Sequence, residues 1–472
     1  MKKNKITALL LAVSMTSFLP SFSEPVMNTD NEKDFKVSYA TGISSIITPS
    51  LLIGSWNRWV SKSDWAQVTW NDASHFYEHA WVWDTDWYWT NFVLHPYQGS
   101  LYYMGARNSN FNALGSTAVA FLGSSIWEYF FETNAPSKND MIYTTLGGFA
   151  IGEMLYRLSI EGSNIWKPLG YILNPMRLYT DFTTGHKPVG TYGNIQELSL
   201  RTYVNAAYGF TTPEKEYKKI DETYPGFFGV ELNVEYGDPY THDSNSPYSQ
   251  FELQFGGGAG APSGKGYKEA EEKIGYNIHL FSNGMLWARE LDTGENTNTS
   301  VGFILDYDFI WQNFFDFTAL APGVVVNHRV NFEKSRMEFQ LHADGIILGT
   351  TDFFYFRRKY TKPDTFYCPY SYNIGMELVG RWKWLLDKGS IIDFTLHSYA
   401  MYDFYNQKQS KAATGWEFIN YATLSLEVPV SRKVYLGLEN TLYTKKSLYR
   451  EYPNVFAFMY GAGFYTKIRF TN

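Results

Sequence analysis

Between His95 and Arg157 the chain concentrates the residue types that do chemistry: His95, Arg107, Glu128, Glu132, Asp140, Glu153 and Arg157. A histidine among carboxylates has the makings of a general acid–base site, because the carboxylates set the protonation of the imidazole. His95, Glu128, Glu132 and Asp140 are therefore the catalytic candidates. Arg107, Glu153 and Arg157 suit a binding or structural polar network instead. An unpaired buried charge costs on the order of several kcal/mol, and guanidiniums remove that cost. The competing reading, which we favour, makes the whole set an ion-pair network fixing a helical hairpin. In that reading Arg107 and Arg157 also serve acidic residues on strands further along.

Two helices must position these groups, at about 111–131 and 138–159. Glu128 and Glu132 fall one turn apart on the first, and Glu153 and Arg157 one turn apart on the second. Ser137 reads as an N-cap with Asp140 three residues on, a capping box using the shorter acid. The connection is short enough to make the pair antiparallel and to set Asp140 beside Glu132. Gly115, Gly123, Gly148 and Gly152, spaced by four or eight, give each helix a small-residue groove for close packing. Both helices carry charge, so they are expected to be buried in protein and not in lipid.

From about Gln196 onward the pattern changes to strict alternation. Val230, Leu232, Val234 and Tyr236 alternate with Glu231, Asn233 and Glu235, and Ile392, Phe394 and Leu396 with Asp393, Thr395 and His397. Period two places one set on each face of a strand. Apolar outside and carboxylate inside, in segments of about ten residues, is the pattern of an outer-membrane barrel. The fold class is therefore mainly β: an antiparallel transmembrane β-barrel of about twelve strands, preceded by the helical hairpin. In the last strand Phe456, Phe458, Tyr460, Phe464, Ile468 and Phe470 share a face. An amphipathic final strand of this kind resembles the signal read by the machinery that inserts such barrels.

Composition agrees. Aromatic residues make up 18% of the chain and charged residues only 18%. A net charge of −7 gives no basic stripe for nucleic acid. The single cysteine, Cys368, excludes an intramolecular disulfide framework. Lys2, Lys3 and Lys5, an apolar run from Ile6 and small residues at Ser21–Ser23 read as a cleavable signal peptide. The resulting division is a signal peptide at 1–23, a flexible tryptophan-rich arm at 24–83, a core with the hairpin at 84–190 and a barrel at 191–472. Export to the outer membrane of a Gram-negative bacterium follows, with outer-membrane lipid and the insertion machinery as partners and a small-molecule ligand left unidentified.

Two weaker constellations remain. His279-Leu280-Phe281-Ser282-Asn283-Gly284 is similar to the His-x-Ser-Asn-Gly motif of outer-membrane phospholipases. Here, however, the serine is three residues after the histidine, so a regular strand points His279 and Ser282 to opposite faces unless a bulge intervenes. His75 and His79 stand four apart but lack the HExxH order and a third ligand. No metal and no cofactor are expected.

The blocks HPYQGSLYYMGAR, WEYFFE, PSKND and TTLGGFAIGEMLYR, in that order, resemble the core of an uncharacterised bacterial family. Its members are exported, outer-membrane-type proteins, and it is labelled only as a domain of unknown function. Asp84-Thr85-Asp86, Asn91 and Asn174-Pro175-Met176-Arg177 look like its flanking motifs, so the resemblance spans about residues 84–180. It implies location and architecture. The functional expectation is a barrel whose hairpin plugs the lumen or caps its periplasmic mouth, serving envelope maintenance or small-molecule passage. The alternative is an outer-membrane hydrolase of phospholipid or lipid A esters.

Overall fold

The computed structural model describes residues 37–75, 78–84, 86–185, 193–213, 220–241, 243–263, 274–357, 370–405 and 414–471. The segment read as a signal peptide lies outside these residues, as does Cys368. The chain divides into two compact units, Met1–Gly193 and Asn194–Asn472.

The first unit is helical. Its elements are α1 (Tyr39–Ser44), α2 (Ile47–Ser55, continued by a π-helical turn at Trp56–Ser61), α3 (Trp70–Ser74), α4 (His95–Asn108), α5 (Ala113–Phe130), α6 (Lys138–Ile142), α7 (Gly148–Ile165), α8 (Lys167–Leu173) and α9 (Met176–Thr184). The stretch expected to be a flexible arm thus carries helices. Small residues make most of their inward face: Gly42, Ser45, Ser50 and Gly54 are buried, with Ile46 as the large apolar residue among them. Ser50 Oγ lies 2.8 Å from the Tyr102 hydroxyl, and a Cβ at Gly42 or Gly54 would strike the rings of Phe111 or Phe131. An arm that buries so little hydrocarbon shows no apolar period, which is why its helices escape a sequence reading.

α4 is the centre of this unit. Both α5 and α7 pack chiefly against it and only slightly against each other. The hairpin therefore has a third helix at its heart. Where α4 meets α7, a Cβ at Gly99 would overlap the Thr144 carbonyl, and one at Gly148 would lie 2.6 Å from the Gly99 carbonyl carbon. The backbones touch, and only glycine permits it. Gly123 and Gly152 make room for Tyr102 and Tyr103, both fully buried. Asn174, in the second flanking motif, exchanges amide hydrogen bonds with Asn108 at 2.9 and 3.2 Å, clamping the start of α9 to the end of α4. Among the described residues no helix is long and apolar enough to cross a membrane.

The second unit is a closed barrel of twelve antiparallel strands, each bonded to its sequence neighbours, with β1 closing on β12. The strands are β1 (Ile195–Pro213), β2 (Ile220–Tyr236), β3 (Phe251–Ser263), β4 (Gly275–Leu291), β5 (Thr297–Gln312), β6 (Asp316–Asn331), β7 (Arg336–Asp352), β8 (Tyr370–Leu385), β9 (Ile391–Tyr405), β10 (Gly415–Pro429), β11 (Val434–Tyr449) and β12 (Val455–Arg469). Closure satisfies every edge, the condition for strands to stand in hydrocarbon. The outer face is apolar all round. Val204, Phe228, Phe255, Phe303, Leu341, Met376, Phe394, Phe418, Leu436 and Phe464 are exposed on it. The protein is an integral membrane barrel of the outer-membrane type, with a helical region before it.

The lumen is filled by the barrel's own side chains. Arg201 of β1 reaches Glu427 of β10 at 3.0 Å and Glu231 and Glu439 at 3.3 Å. Arg381 of β8 crosses to Glu252 of β3 at 2.7 Å and pairs with Asp393 at 2.7 Å. Lys383 reaches Glu235 of β2 at 2.7 Å. Phe315, in the short β5–β6 turn, stacks on Tyr443 of β11 with ring centres 3.7 Å apart. Phe281 of β4 stacks on Tyr421 of β10 at 5.5 Å. Glu231, Glu235, Glu252, Asp393 and Glu439 thus find their cations within the barrel itself. Arg107 and Arg157, expected to serve them, are committed elsewhere.

Candidate functional site

Arg107 and Arg157 meet at Glu153. Arg107 donates from Nε to Glu153 Oε2 at 2.8 Å and from Nη2 to Oε1 at 3.1 Å. Arg157 Nε lies 2.9 Å from Oε1, one turn along α7. Tyr103 donates its hydroxyl proton to Oε2 at 2.8 Å. Burial alone would raise the Glu153 pKa, but the two guanidiniums override it and hold the carboxyl below its usual range. This is a finished ion triad. Its helical spacing made half of it readable, and Arg107 joins it because α4 lies against α7.

The remaining candidates gather elsewhere, between two π-helical turns. Thr90–Leu94 runs straight into His95 at the head of α4, and Tyr143–Gly147 joins α6 to α7. Such turns break the regular ladder and are common beside functional groups. A short parallel bridge between Val82 and Ser137 ties the Trp81–Asp84 segment to the start of α6. Ser137 caps α6, accepting from the Asp140 amide at 3.2 Å, and its own amide donates to Glu128 Oε2 at 2.8 Å. Asn139 accepts from the Asp84 amide at 2.8 Å and donates to Asp140 Oδ1 at 2.9 Å. Asp140 Oδ1 lies 3.7 Å from His95 Nε2, while Thr144 Oγ1 is 3.5 Å from Nδ1.

One donor atom each from His95, Glu128 and Asp140 lie within 4.8 Å of one another, and all three residues are buried. Asp140 thus meets Glu128, and the expected neighbour Glu132 also acts on its carboxyl. Glu132 is half-buried and accepts from Trp127 Nε1 at 2.5 Å. Asp84, in a flanking motif too short to claim a metal by itself, joins through Asp140. Asp86 is exposed at the rim.

The charge balance is one-sided. Burial pushes the Glu128 carboxyl well above its usual range, and Asp140 and Glu132 reinforce the shift. Burial carries Asp140 up to about 7, against hydrogen bonds from Ser137 and Asp84. Asp84 is pushed up to about 7 by burial and by Asp140, and Glu132 to about 8, chiefly by burial. Burial lowers the pKa of His95, keeping the imidazole neutral and its ring nitrogen able to bind a cation. Glu128 Oε1 is buried with no hydrogen-bond partner.

His279 and Ser282 are not brought together. His279 faces Glu231, with Nε2 3.2 Å from Oε2, while Ser282 Oγ donates to the Tyr307 carbonyl at 3.2 Å. The irregularity in β4 falls at Met285–Trp287, beyond both, so the opposite-face geometry stands. His75 and His79 are both exposed, and α3 stops at Ser74 before them.

Comparison with known proteins bears on this helical unit first. Residues 80–175 match the family model described as a domain of unknown function (DUF3943). The match brackets the His95–Glu128–Asp140 cluster and the Glu153 triad. No curated protein matches the chain. Similar solved structures cover a little over half of the chain. An outer membrane channel from Pseudomonas putida F1 is 12% identical, covering 60% of this chain and 97% of its own at TM-score 0.32. The outer membrane protease OmpT from Escherichia coli is 8% identical, covering 58% and 97% at TM-score 0.25. A FadL homologue from Pseudomonas aeruginosa is 7% identical, covering 58% and 91% at TM-score 0.24. The strand pairing, and not these likenesses, establishes the barrel.

Proposed function

We propose that the barrel anchors the protein in the outer membrane of a Gram-negative bacterium and that its DUF3943 unit binds a divalent cation through His95, Glu128 and Asp140. The observation that carries this is Glu128 Oε1, a buried carboxylate oxygen without a hydrogen-bond partner, set beside the buried Asp140 carboxyl and the His95 imidazole. Tetrahedral ligands at about 2.0–2.2 Å from an ion stand about 3.3–3.6 Å apart. Donors that lie within 4.8 Å of one another reach that spacing by drawing in by up to about 1.5 Å. Thr144 beside His95 Nδ1 and Asn139 beside Asp140 are the supporting contacts that orient metal ligands.

Export through residues 1–23 and recognition of β12 by the insertion machinery belong to the same proposal. The barrel's chain ends lie at one mouth, where four of the five connections, 292–296, 332–335, 386–390 and 430–433, are short and the fifth, 237–250, is longer. Barrels of this kind keep short turns in the periplasm.

Equilibrium dialysis of the detergent-purified, chelator-stripped protein against Zn²⁺ tests the reading. We expect binding in the wild type that Glu128→Gln weakens by at least ten-fold. Equal affinity in both proteins refutes it. A second reading, hydrolysis of a phospholipid or lipid A ester, is favoured by the donor set itself. Three protein ligands leave a coordination position open for water. Release of free fatty acid on expression, lost in Glu128→Gln, would support it, and an unchanged lipid profile would remove it.

A further inference from the structure

A second acid–histidine cluster lies inside the barrel, where the sequence reading placed nothing. Asp306 and Asp308 are two apart on β5 and so share a face. His342 and Asp344 do the same on β7, and His397 and Tyr399 on β9. Glu377 of β8 stands directly opposite Asp344 on one side and Tyr399 on the other. Four of the five adjoining strands from β5 to β9, all but β6, therefore aim four carboxylates and two imidazoles at one region of the lumen.

The groups form two sets of three. In the first, His342 Nδ1 lies 3.1 Å from Asp306 Oδ2, with Asp344 alongside. In the second, His397 Nδ1 lies 3.2 Å from Glu377 Oε1 and 3.7 Å from Asp308 Oδ2. Within each set one donor atom per residue falls inside 4.8 Å of the others. Tyr399 donates to Asp308 Oδ2 at 2.7 Å and fixes its orientation. Gly323 on β6 leaves the space that Asp344 occupies, since a Cβ there would strike Asp344 Oδ1.

The acids of this cluster meet each other, Asp306 against Asp344 and Asp308 against Glu377. Asp306 Oδ1, both oxygens of Asp344, Glu377 Oε2 and His342 Nε2 are buried and take no hydrogen bond from a residue outside the cluster. Their residues are at most 3% exposed. Like charges directly opposite on neighbouring strands, as at Asp344 and Glu377, oppose folding. The nearby Arg381 is held by Glu252, Asp393 and Glu235. A cavity of about 120 Å³ adjoins the cluster, lined in part by Asp306, Asp308, His342 and His397, and gives room for water to complete a coordination shell.

We infer that the lumen holds a two-ion divalent-cation site, one ion on Asp306, His342 and Asp344 and the other on Asp308, Glu377 and His397. Mixed imidazole and carboxylate donors without thiolate suit Mn²⁺, Fe²⁺ or Zn²⁺.

The test uses the full-length protein in detergent, stripped by chelator and carrying Glu128→Gln so that the helical unit's proposed site is silent. Titration with Mn²⁺, followed by the electron paramagnetic resonance of the free ion, should show two ions bound per chain. Asp344→Asn and Glu377→Gln should each weaken binding at least ten-fold. Asp344→Asn should also raise the unfolding temperature of the metal-free protein and lower that of the Mn²⁺-loaded one. A purely packing role would move both the same way. One bound ion or none, or variants that bind like their parent, overturns the two-ion site. Heat-modifiable gel mobility of each variant confirms that its barrel has closed.

Discussion

Glu153 and Glu128 sit in the same helical unit, both buried, and they solve the problem of a buried carboxylate in opposite ways. Glu153 is held by Arg107, Arg157 and Tyr103, so its charge is answered in full by the chain. Glu128 has one backbone amide and a free oxygen, and its neighbours Asp140 and Asp84 are themselves acids. The first arrangement is complete without any added ion. The second is complete only with a proton or a metal. The barrel repeats the contrast. Glu427 meets Arg201 and Lys467, whereas Asp344 and Glu377 meet each other. Charge compensation thus separates architecture from candidate sites more sharply than burial or residue type does.

The largest effect should come from breaking the finished side. Glu153→Ala leaves two buried guanidiniums facing each other and should destabilise the helical unit by about 3–5 kcal/mol. Chemical denaturation in detergent, followed by helical circular dichroism, measures it. Glu128→Gln in metal-free protein should cost less than about 1 kcal/mol or stabilise, because no cation among the described residues pairs with Glu128 and the amide oxygen can still accept from Ser137. Equal losses from the two variants would erase the distinction.

The pH dependence should run in opposite directions. For Glu132, Asp84 and Asp140, raised to about 8, 7 and 7, the folded state binds protons more tightly than the unfolded chain. Metal-free stability should therefore be greatest near pH 4, fall as pH rises through about 7 to 8, and level off above. Glu153 is depressed, so its contribution is present above the ordinary glutamate value of about 4.3 and is lost as pH falls through its lowered one. Denaturation midpoints of Glu128→Gln and Glu153→Gln across this range separate the two. Saturating Zn²⁺ should flatten the alkaline loss in the wild type, since a bound cation takes over the role of the protons.

Much of the architecture is readable from sequence because period two is unambiguous. Glu231 and Glu235 alternate with Val230, Leu232 and Val234, and the structure turns that alternation into lumen and lipid faces. The helical site is readable only as a set of residue types. Its assembly depends on α4, whose run of tyrosine, glutamine and glycine carries little apolar period, and on the Val82–Ser137 bridge that delivers Asp84. Neither leaves a spacing signal. The lumen cluster is hidden for a different reason. Asp306-x-Asp308 and His342-x-Asp344 look like any inward polar pair, and which pairs share a level of the barrel is set by register, with irregularities at Leu320–Gly323 and Ile346–Gly349.

The smallest expected effect sharpens the comparison furthest. Ser137→Ala keeps the backbone amide that holds Glu128 and removes only the hydroxyl, which caps the Asp140 amide and donates to Asn139 Oδ1 at 2.9 Å. Loss of an N-cap should cost about 1 kcal/mol of stability in the metal-free protein. If Asn139 and Ser137 merely close a helix end, Zn²⁺ affinity will not move with it. If they orient Asp140 as a ligand, affinity should fall about ten-fold, the range found when supporting contacts around metal ligands are cut. Ser137→Thr retains a hydroxyl and should restore both quantities. Dialysis and denaturation on the same three proteins decide whether this cap serves the helix alone or also the ion.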